Sequence, residues 1–491
     1  LKLVLRGGSG AAALGVLAAA VYLWTAPGRI QFPDDEIVFQ TTASLWDDGD
    51  LDIPGIPKHT GEPKGRPSGS FGWAPGPAGQ RYGFFGHGLS IVALPAYALA
   101  SASVGVPEAW SHAVRSDHFV FHRRAHRADW TRLVVSLTNC FVTAASAWLL
   151  ARWLLALGFL RRTALVTGLA FAFATSAWAY SRTFLSEPLS GLCLIAAAYC
   201  VTLRQAGRGA RWLWLAGAIA GFSVHVHALN VVFVPCLIGY ALAGRRRAGM
   251  AGMLAMLGLG AGLLLLGQWL RFGGPLETGR FGHYSEFVAP WEGMAAQLVA
   301  PGRSFLLYSP AAALGLLGFG ALRRRLPAVF LFAAGAMLLR WLTISTRSDW
   351  YGGWGLGPRH LVPVIPLAML GFAAALERAG QWRRWARWAW WLALGLGVLL
   401  SAHLALHSIF EWMWQLRLDP ALQAPGLRMH ASHWWAPASP VLGFFTLKLD
   451  VLAAGAVLLA QLGHPGLLAV FAGIGAVGVA AGWRLVAALR G

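Results

Sequence analysis

Apolar runs of about 20 residues recur from one end of the chain to the other, each long enough to cross a hydrocarbon core of roughly 30 Å. They lie near Ser9–Ala26, Leu133–Leu154, Ala164–Tyr180, Pro188–Val201, Trp212–Val224, Leu229–Leu242, Met250–Trp269, Phe305–Leu322, Ala328–Ile344, Leu361–Leu376, Trp388–Ile409, Gly443–Leu462 and Leu467–Val486. Arginines punctuate the run ends: Arg161–Arg162, Arg204/Arg208/Arg211, Arg245–Arg247, Arg323–Arg325 and Arg378/Arg383/Arg384/Arg387. Short loops rich in Lys and Arg stay cytoplasmic, so each cluster marks the inner side and the pattern predicts about 13 spans, N-terminus inside. The first run reads as a retained anchor rather than a signal peptide, because the later runs need it for a consistent topology. The pair within Trp212–Leu242 is short for two crossings, and short or broken helices border cavities.

What remains between the runs is polar and falls on the outer side: 27–131, 271–304 and 410–440, with a shorter segment at 345–360. Of the 20 acidic residues all but Glu377 lie there or at its boundary, which puts any chemistry on that face of a single membrane domain, 1–491. Inside the first loop, Asp35–Trp46 has Ile37, Val38, Thr41 and Leu45 at helical spacing and predicts an interfacial helix. The apolar stretch Gly86–Gly105, interrupted by Pro95, predicts a second helix lying along the membrane; a span there would invert everything downstream against the arginine pattern.

Composition agrees. Hydrophobic residues make up 57% and charged residues 12%, about half the charged share of a soluble domain. A formal charge of +20 would suit nucleic acid, but its placement at run ends is the positive-inside pattern, so nucleic-acid binding is excluded. Cys140, Cys193, Cys200 and Cys236 sit within apolar stretches without metal-ligand spacing and read as small buried hydrophobes. Basic residues are almost all arginine, with lysines only at 2, 58, 64 and 448, which suits a GC-rich bacterial source.

Three constellations carry candidate chemistry. Asp34, Asp35 and Glu36 follow Pro33 directly after the first span. Adjacent carboxylates repel, so one should have a raised pKa or a cation partner. They suit a general base or an oxygen-ligated divalent metal (Mg, Mn or Zn), or simply an acidic helix N-terminus. Glu187, beside Arg182 in a short outer turn, is a carboxylate at membrane depth, where charge is costly and usually functional; it also suits a helix start next to Pro188. The segment 347–360 holds Arg347, Asp349, Trp350, Tyr351, Trp354, Arg359 and His360 among four glycines. Glycines admit a ligand to the backbone, aromatic rings suit sugar faces or the interface belt, and Arg359 suits a phosphate. Arg271 to Arg280 is a weaker loop of the same kind. His225 and His227 read as structural or cavity-lining, and His118, His122 and His126 as a basic stripe against anionic lipid.

These residues resemble the GT-C superfamily of polyprenyl-phosphate-sugar-dependent glycosyltransferases, in the bacterial branch with protein O-mannosyltransferases and lipid A aminoarabinose transferase. The resemblance is carried by 34–52 (Asp-Asp-Glu-Ile-Val-Phe through Ser-Leu-Trp-Asp-Asp-Gly-Asp-Leu-Asp) and by Gly86-His87-Gly88 through Leu94-Pro95-Ala96-Tyr97. Arg271-Phe272-Gly273 with Glu277-Thr278-Gly279, Leu307-Tyr308-Ser309-Pro310, and Gly353-Trp354 with Gly357-Pro358-Arg359-His360 continue it. It implies an all-α GT-C-type bundle with juxtamembrane helices in the first loop, in the bacterial cytoplasmic membrane, its site facing outward. It implies an inverting transferase moving a sugar from an undecaprenyl-phosphate-type donor to a lipid, glycan or protein hydroxyl. Asp35 would be the base, with Glu36 and Glu187 beside it. Arg359, then Arg347 and Arg182, would hold the donor phosphate, and Asp35 with Glu187 any metal. Asp34, Tyr82, His87, Arg280, Asp349, Trp350, Tyr351, Trp354 and His360 would line the substrate site. Two departures, Arg280 where the branch often has an aromatic residue and His227 where a basic or polar residue precedes Pro, bear on acceptor choice. A transporter or flippase would want repeats and mid-span charges, and a ligase or polymerase using a diphosphate-linked donor would want its large loop late in the chain.

Overall fold

The computed structural model describes residues 8–54, 72–103, 126–280, 286–424, 426–461 and 463–490. Of the histidine stripe, His118, His122 and the side chain of His126 lie outside them. Among the described residues six helices are long and apolar enough to cross a membrane: Trp130–Ala156, Met250–Phe272, Pro327–Ser345, Arg359–Leu376, Arg384–Leu406 and Gly466–Arg490. Shorter apolar helices cover Ser9–Thr25, Gly88–Ala102, Ala228–Ala243 and Leu452–Gln461. The expected runs at 164–180, 188–201 and 212–224 become the helices Arg161–Phe173 with Ala177–Ser181, Glu187–Gln205 and Arg211–Val226.

The expected number of about 13 crossings is not established by these lengths, because several runs are interrupted. The run at 305–322 breaks into Phe305–Tyr308, Pro310–Leu317 and Phe319–Arg325. Ser309 leaves helical geometry (φ −137°, ψ 67°), and Pro310 has no N–H with which to continue the ladder. Its pieces lie flush on Ile365–Leu376, the most enclosed helix. A Cβ at Gly315 would fall 2.2 Å from Ala368 O, and one at Gly371 2.2 Å from Gly315 O. In a bilayer, small residues allow such backbone contact to supply packing that the hydrophobic effect cannot. Ile365–Leu376 is accordingly apolar all round, whereas Met250–Phe272 and Gly466–Arg490 keep most of their surface outside the bundle.

The described residues of the first long polar loop form two packed helices and a small hairpin. The helix expected at Asp35–Trp46 runs from Pro33 to Asp47, and where one buried face was expected, residues 35–42 and Ser44 are all buried. Its apolar side chains are divided between two contacts: Ile37 packs with Ile53, Trp73 and Phe85, while Val38 and Phe39 meet Leu89, Ala93 and Tyr97 of Gly88–Ala102. Ser90 Oγ donates to Val38 O at 3.0 Å, and the Tyr97 hydroxyl to Asp47 Oδ2 at 2.6 Å. The hairpin, Trp73–Pro75 paired antiparallel with Arg81–Gly83, was not anticipated. Its register sets Ala74 opposite Tyr82.

An ionic latch joins the two ends of the chain above this bundle. Arg29 donates both Nη atoms to Asp450 at 2.7 and 2.6 Å, and Arg182 lies 3.7 Å from the same carboxylate. Asp450 interrupts the expected span at 443–462, which starts as a helix only at Leu452. The opposite, arginine-rich end has its own tie: Glu377 pairs with Arg325 and accepts from Leu160 N at 2.7 Å. Asp450→Ala leaves Arg29 and Arg182 without their shared anion, and is expected to destabilise the fold by about 3 kcal/mol. The check is heating in detergent with a thiol-reactive dye, which labels the buried Cys140 and Cys193 as the bundle opens. Labelling at the wild-type temperature would show that the latch does not hold the termini.

Candidate functional site

Pro33 starts the first-loop helix at a position where its missing N–H is not needed, and Asp34, Asp35 and Glu36 occupy the first turn, favoured there by the helix dipole. A 100° step per residue sends these neighbours in three directions, and each finds a different environment. Asp34 Oδ2 accepts from Arg359 Nη1 at 2.7 Å. Glu36 is held bidentately by Arg132 (Nε–Oε2 3.0 Å, Nη2–Oε1 2.7 Å) and accepts from Gln40 Nε2 at 3.1 Å. Arg132 in turn lies over the Phe39 ring, 4.5 Å from its centroid. Asp35 is wholly buried; its Oδ2 accepts from the amides of Phe184 at 3.1 Å and Phe32 at 3.4 Å, while Oδ1 has no partner. Burial pushes the Asp35 carboxyl well up, and the Phe184 amide and nearby Arg359 only partly offset this.

Arg359 joins the loop to the bundle. Its Nε donates to Glu187 Oε1 at 2.7 Å, so one guanidinium holds carboxylates more than 150 residues apart in sequence. Glu187 is fully buried at the first turn of Glu187–Gln205, and its Oε2 has no hydrogen-bond partner. His360 Nδ1, 3.7 Å from Glu187 Oε1, is likewise unpaired. His227 completes a set of three residues whose ligand atoms all lie within 4.8 Å of one another. Two imidazoles and a carboxylate suit Zn²⁺ or a similar divalent ion, and two uncommitted buried atoms among them are what such an ion would satisfy. Asp35, expected to share metal with Glu187, is not in this set; its Oδ2 accepts from two backbone amides and its Oδ1 is left without a partner. His227, read as structural or cavity-lining, is brought in because the chain leaves helix there (φ −155°, ψ 122°) and turns its ring back toward His360, 6.1 Å between centroids.

A second arginine group borders this one. Asp349 takes Arg347 bidentately (2.7 and 2.6 Å) and Arg280 Nη2 at 2.6 Å, and these pairings hold its carboxyl below the ordinary range despite burial. Arg280 lies over Phe84 and Phe85, at 5.4 and 5.9 Å. Arg340, unexposed within Pro327–Ser345, donates to His360 O at 2.9 Å and Asn230 Oδ1 at 3.4 Å, leaving Nη2 free of any partner. Four arginines (280, 340, 347, 359) thus stand among four carboxyl groups (34, 35, 187, 349), of which Asp35 is pushed toward its neutral form by burial, and the resulting excess of positive charge favours an anionic ligand.

Other expected residues are placed differently. Arg182 is not available to a phosphate: Nε donates to Thr25 O at 2.5 Å, Nη1 to His407 O at 3.2 Å and Nη2 to the Asp450 carbonyl, which makes it part of the latch. Trp350 and Tyr351 pack at a tilt against His433, with centroids 5.5 and 5.0 Å away, and Trp354 sits edge-on to Trp412 at 6.0 Å, so the 410–440 segment closes over them. Tyr82 packs edge-on to Phe272, and His87 Nε2 lies 3.3 Å from His225 Nδ1; both tie the first loop to neighbouring helices. Missed by sequence reasoning were Arg132, Arg303 and Arg340. An arginine inside an apolar run, as Leu338-Leu339-Arg340-Trp341-Leu342 has it, was the signal for the last.

No protein-family model matches the sequence, and no curated protein does. Among solved structures, ArnT from Cupriavidus metallidurans bound to undecaprenyl phosphate is 14% identical over 98% of this chain and 75% of its own, with a TM-score of 0.50. The Archaeoglobus fulgidus oligosaccharyltransferase in the apo form is 13% identical over 90% of this chain and 60% of its own, with a TM-score of 0.44. The likeness to the former is one of fold: this is a multi-pass, predominantly helical membrane protein whose architecture resembles that of the solved ArnT.

The Asp35 environment has a stability signature. A raised carboxyl pKa means that the folded chain holds the proton more tightly than the unfolded chain, whose Asp titrates near about 3.9. This group therefore favours the fold most in acid, and the contribution is lost as pH rises through its folded pKa. Asp35→Asn is expected to unfold at a higher temperature than wild type at pH 8, the difference closing as pH falls. A difference independent of pH would show that Asp35 is not the titrating group.

Proposed function

We propose that this chain is an inverting glycosyltransferase that moves a sugar from a polyprenyl-phosphate donor to a hydroxyl acceptor at the outer membrane face. The observation that carries the reading is the ion triad Asp34–Arg359–Glu187 beside Asp35, whose Oδ1 is uncommitted. Asp34 and Glu36 each have an arginine bound to their oxygens. Asp35 has no such partner and is made more basic by burial, so it takes the acceptor's proton as the hydroxyl oxygen bonds to the anomeric carbon. The bond from that carbon to the phosphate oxygen breaks on the opposite face, which inverts the centre, and the polyprenyl phosphate leaves with the electron pair.

The leaving phosphate needs positive charge already in place, because preorganised donors act without reorganising during the reaction. Arg359 provides it, with Arg347 and Arg280 alongside, each tethered by a carboxylate. Glu187, His227 and His360 would hold a divalent cation, which when bound supplies Lewis-acid neutralisation of the same phosphate. Trp350, Tyr351 and Trp354 shape the wall on the 410–440 side. The donor arrives through the bilayer, which accounts for a polar site at the mouth of an apolar bundle; the undecaprenyl phosphate in the solved ArnT supports a ligand of this class. The arginine pattern supports an inner-side N-terminus, and the composition a bacterial cytoplasmic membrane. The acceptor is a lipid, glycan or protein hydroxyl.

The test uses purified protein in lipid nanodiscs with radiolabelled polyprenyl-phosphate sugars. Transfer or release of one sugar is expected, and Asp35→Asn should lower turnover by about 10²–10⁴-fold. Glu187→Gln should strip any bound metal, read by elemental mass spectrometry. Undiminished turnover in Asp35→Asn would remove Asp35 as the base, and no turnover of any monophosphate donor by folded protein would remove the donor class.

A further inference from the structure

The glycine loop that ends on Arg359 has a polarity imposed by one buried cation. Arg303 is 1% exposed; its Nη2 donates to Gly353 O at 2.7 Å, and its Nη1 to the carbonyls of Gly355 and Gly357, the latter at 3.4 Å. Positive φ at Gly352 (69°), Gly353 (63°) and Gly357 (58°) lets these carbonyls turn toward one guanidinium. The Leu356 carbonyl is taken from another side by the Tyr180 hydroxyl, at 2.7 Å.

A trans peptide points its N–H opposite to its C=O, and the described residues hold no cis bond. The amides of Trp354 and Leu356, which share peptide units with the Gly353 and Gly355 carbonyls, therefore face away from Arg303. Among the described hydrogen bonds neither amide has an acceptor, although Leu356 is only 8% exposed and Gly355 and Gly357 are buried. Buried backbone N–H groups are almost always paired, and the Leu356 amide, in a buried residue, together with that of half-buried Trp354 offers two free donors in one turn. Arg359 lies flush on this turn: a Cβ at Gly355 would come within 3.0 Å of Arg359 Cδ, and one at Gly352 within 3.0 Å of Arg359 Cβ.

We propose that Arg303 is a positioning residue that turns the Trp354 and Leu356 amides outward as a two-donor cradle for a phosphate oxygen beside Arg359. Successive amides in such a turn form an anion-binding concavity, and their dipoles do not titrate. Resting on the transferase reading above, the phosphate is that of the lipid donor, and the cradle adds neutral backbone donors to the charge of Arg359 as the phosphate leaves. Without Arg303, four glycines would sample many turns and the amides would not converge.

The test is amide-resolved hydrogen exchange and ligand affinity on the full chain in nanodiscs, with undecaprenyl phosphate and inorganic phosphate as separate probes. In wild type either probe should slow exchange at Trp354 and Leu356, inorganic phosphate at the higher concentration. Arg303→Met should abolish that slowing and weaken undecaprenyl phosphate binding by about tenfold. Where Arg303→Met does not fold, the α-hydroxy analogue of leucine at position 356 removes only the N–H, keeps every side chain, and should weaken binding similarly. In the 356-ester protein Arg303→Met should add much less than it does in wild type, whereas a merely structural Arg303 would add its full effect. Wild-type affinity in both single variants would overturn the proposal. Slowed exchange with inorganic phosphate but no binding of the lipid would keep the cradle and remove the lipid-donor reading; no slowing with either probe would overturn the cradle.

Discussion

Everything at the candidate site depends on one guanidinium shared by two carboxylates from distant parts of the chain. Arg359 brings Asp34, from the first loop, to Glu187, from the start of a core helix, each at 2.7 Å. Charges taken out of water are expensive, and mutual attraction repays that only when geometry is good and remaining atoms are satisfied. Here the pairing geometry is good, but Glu187 Oε2, His360 Nδ1 and Arg340 Nη2 remain without partners. A protein that only needed stability would do better with apolar side chains in this position. The unsatisfied atoms are the mark of a site prepared for something else.

The fold serves this arrangement by delivering polar groups to one level from many segments. The first loop supplies Asp34 and Asp35, the turn before Glu187–Gln205 supplies Glu187, the break between two helices supplies His227, and the glycine loop supplies Arg359 and His360. Helix interruptions are what place them. The extended residue at His227 and the turn before Glu187 leave backbone and side chains facing inward at membrane depth, where irregular structure is tolerated only if it is enclosed or lines a cavity. Arg303 and Tyr180 hold the glycine loop from below, so the carrier of Arg359 is fixed although its sequence is flexible.

Much of the site was legible in the sequence because charge in an apolar chain is conspicuous. Asp34, Asp35, Glu187, Arg347, Asp349, Arg359 and His360 stood out for that reason and lie in adjoining groups. Arg182 stood out for the same reason and is used otherwise. Sequence shows that a cation is present, not whether backbone carbonyls will consume its donors. His227 and Arg303 were obscure because their roles come from backbone direction, a helix end in one case and converging carbonyls in the other. The bundle was legible as apolar periods. Its interruptions were less so: the break at Ser309-Pro310 follows from proline chemistry, but the close approach of Gly315 and Gly318 to the Ile365–Leu376 helix is a tertiary fact.

The most direct measurement is a cryo-electron microscopy map of the protein in nanodiscs with undecaprenyl phosphate bound. The account predicts phosphate density within hydrogen-bond distance of Arg359 and the polyprenyl tail leaving sideways into the bilayer. Phosphate density at the arginine-rich opposite end, with the Asp34–Arg359–Glu187 triad unchanged, would contradict it.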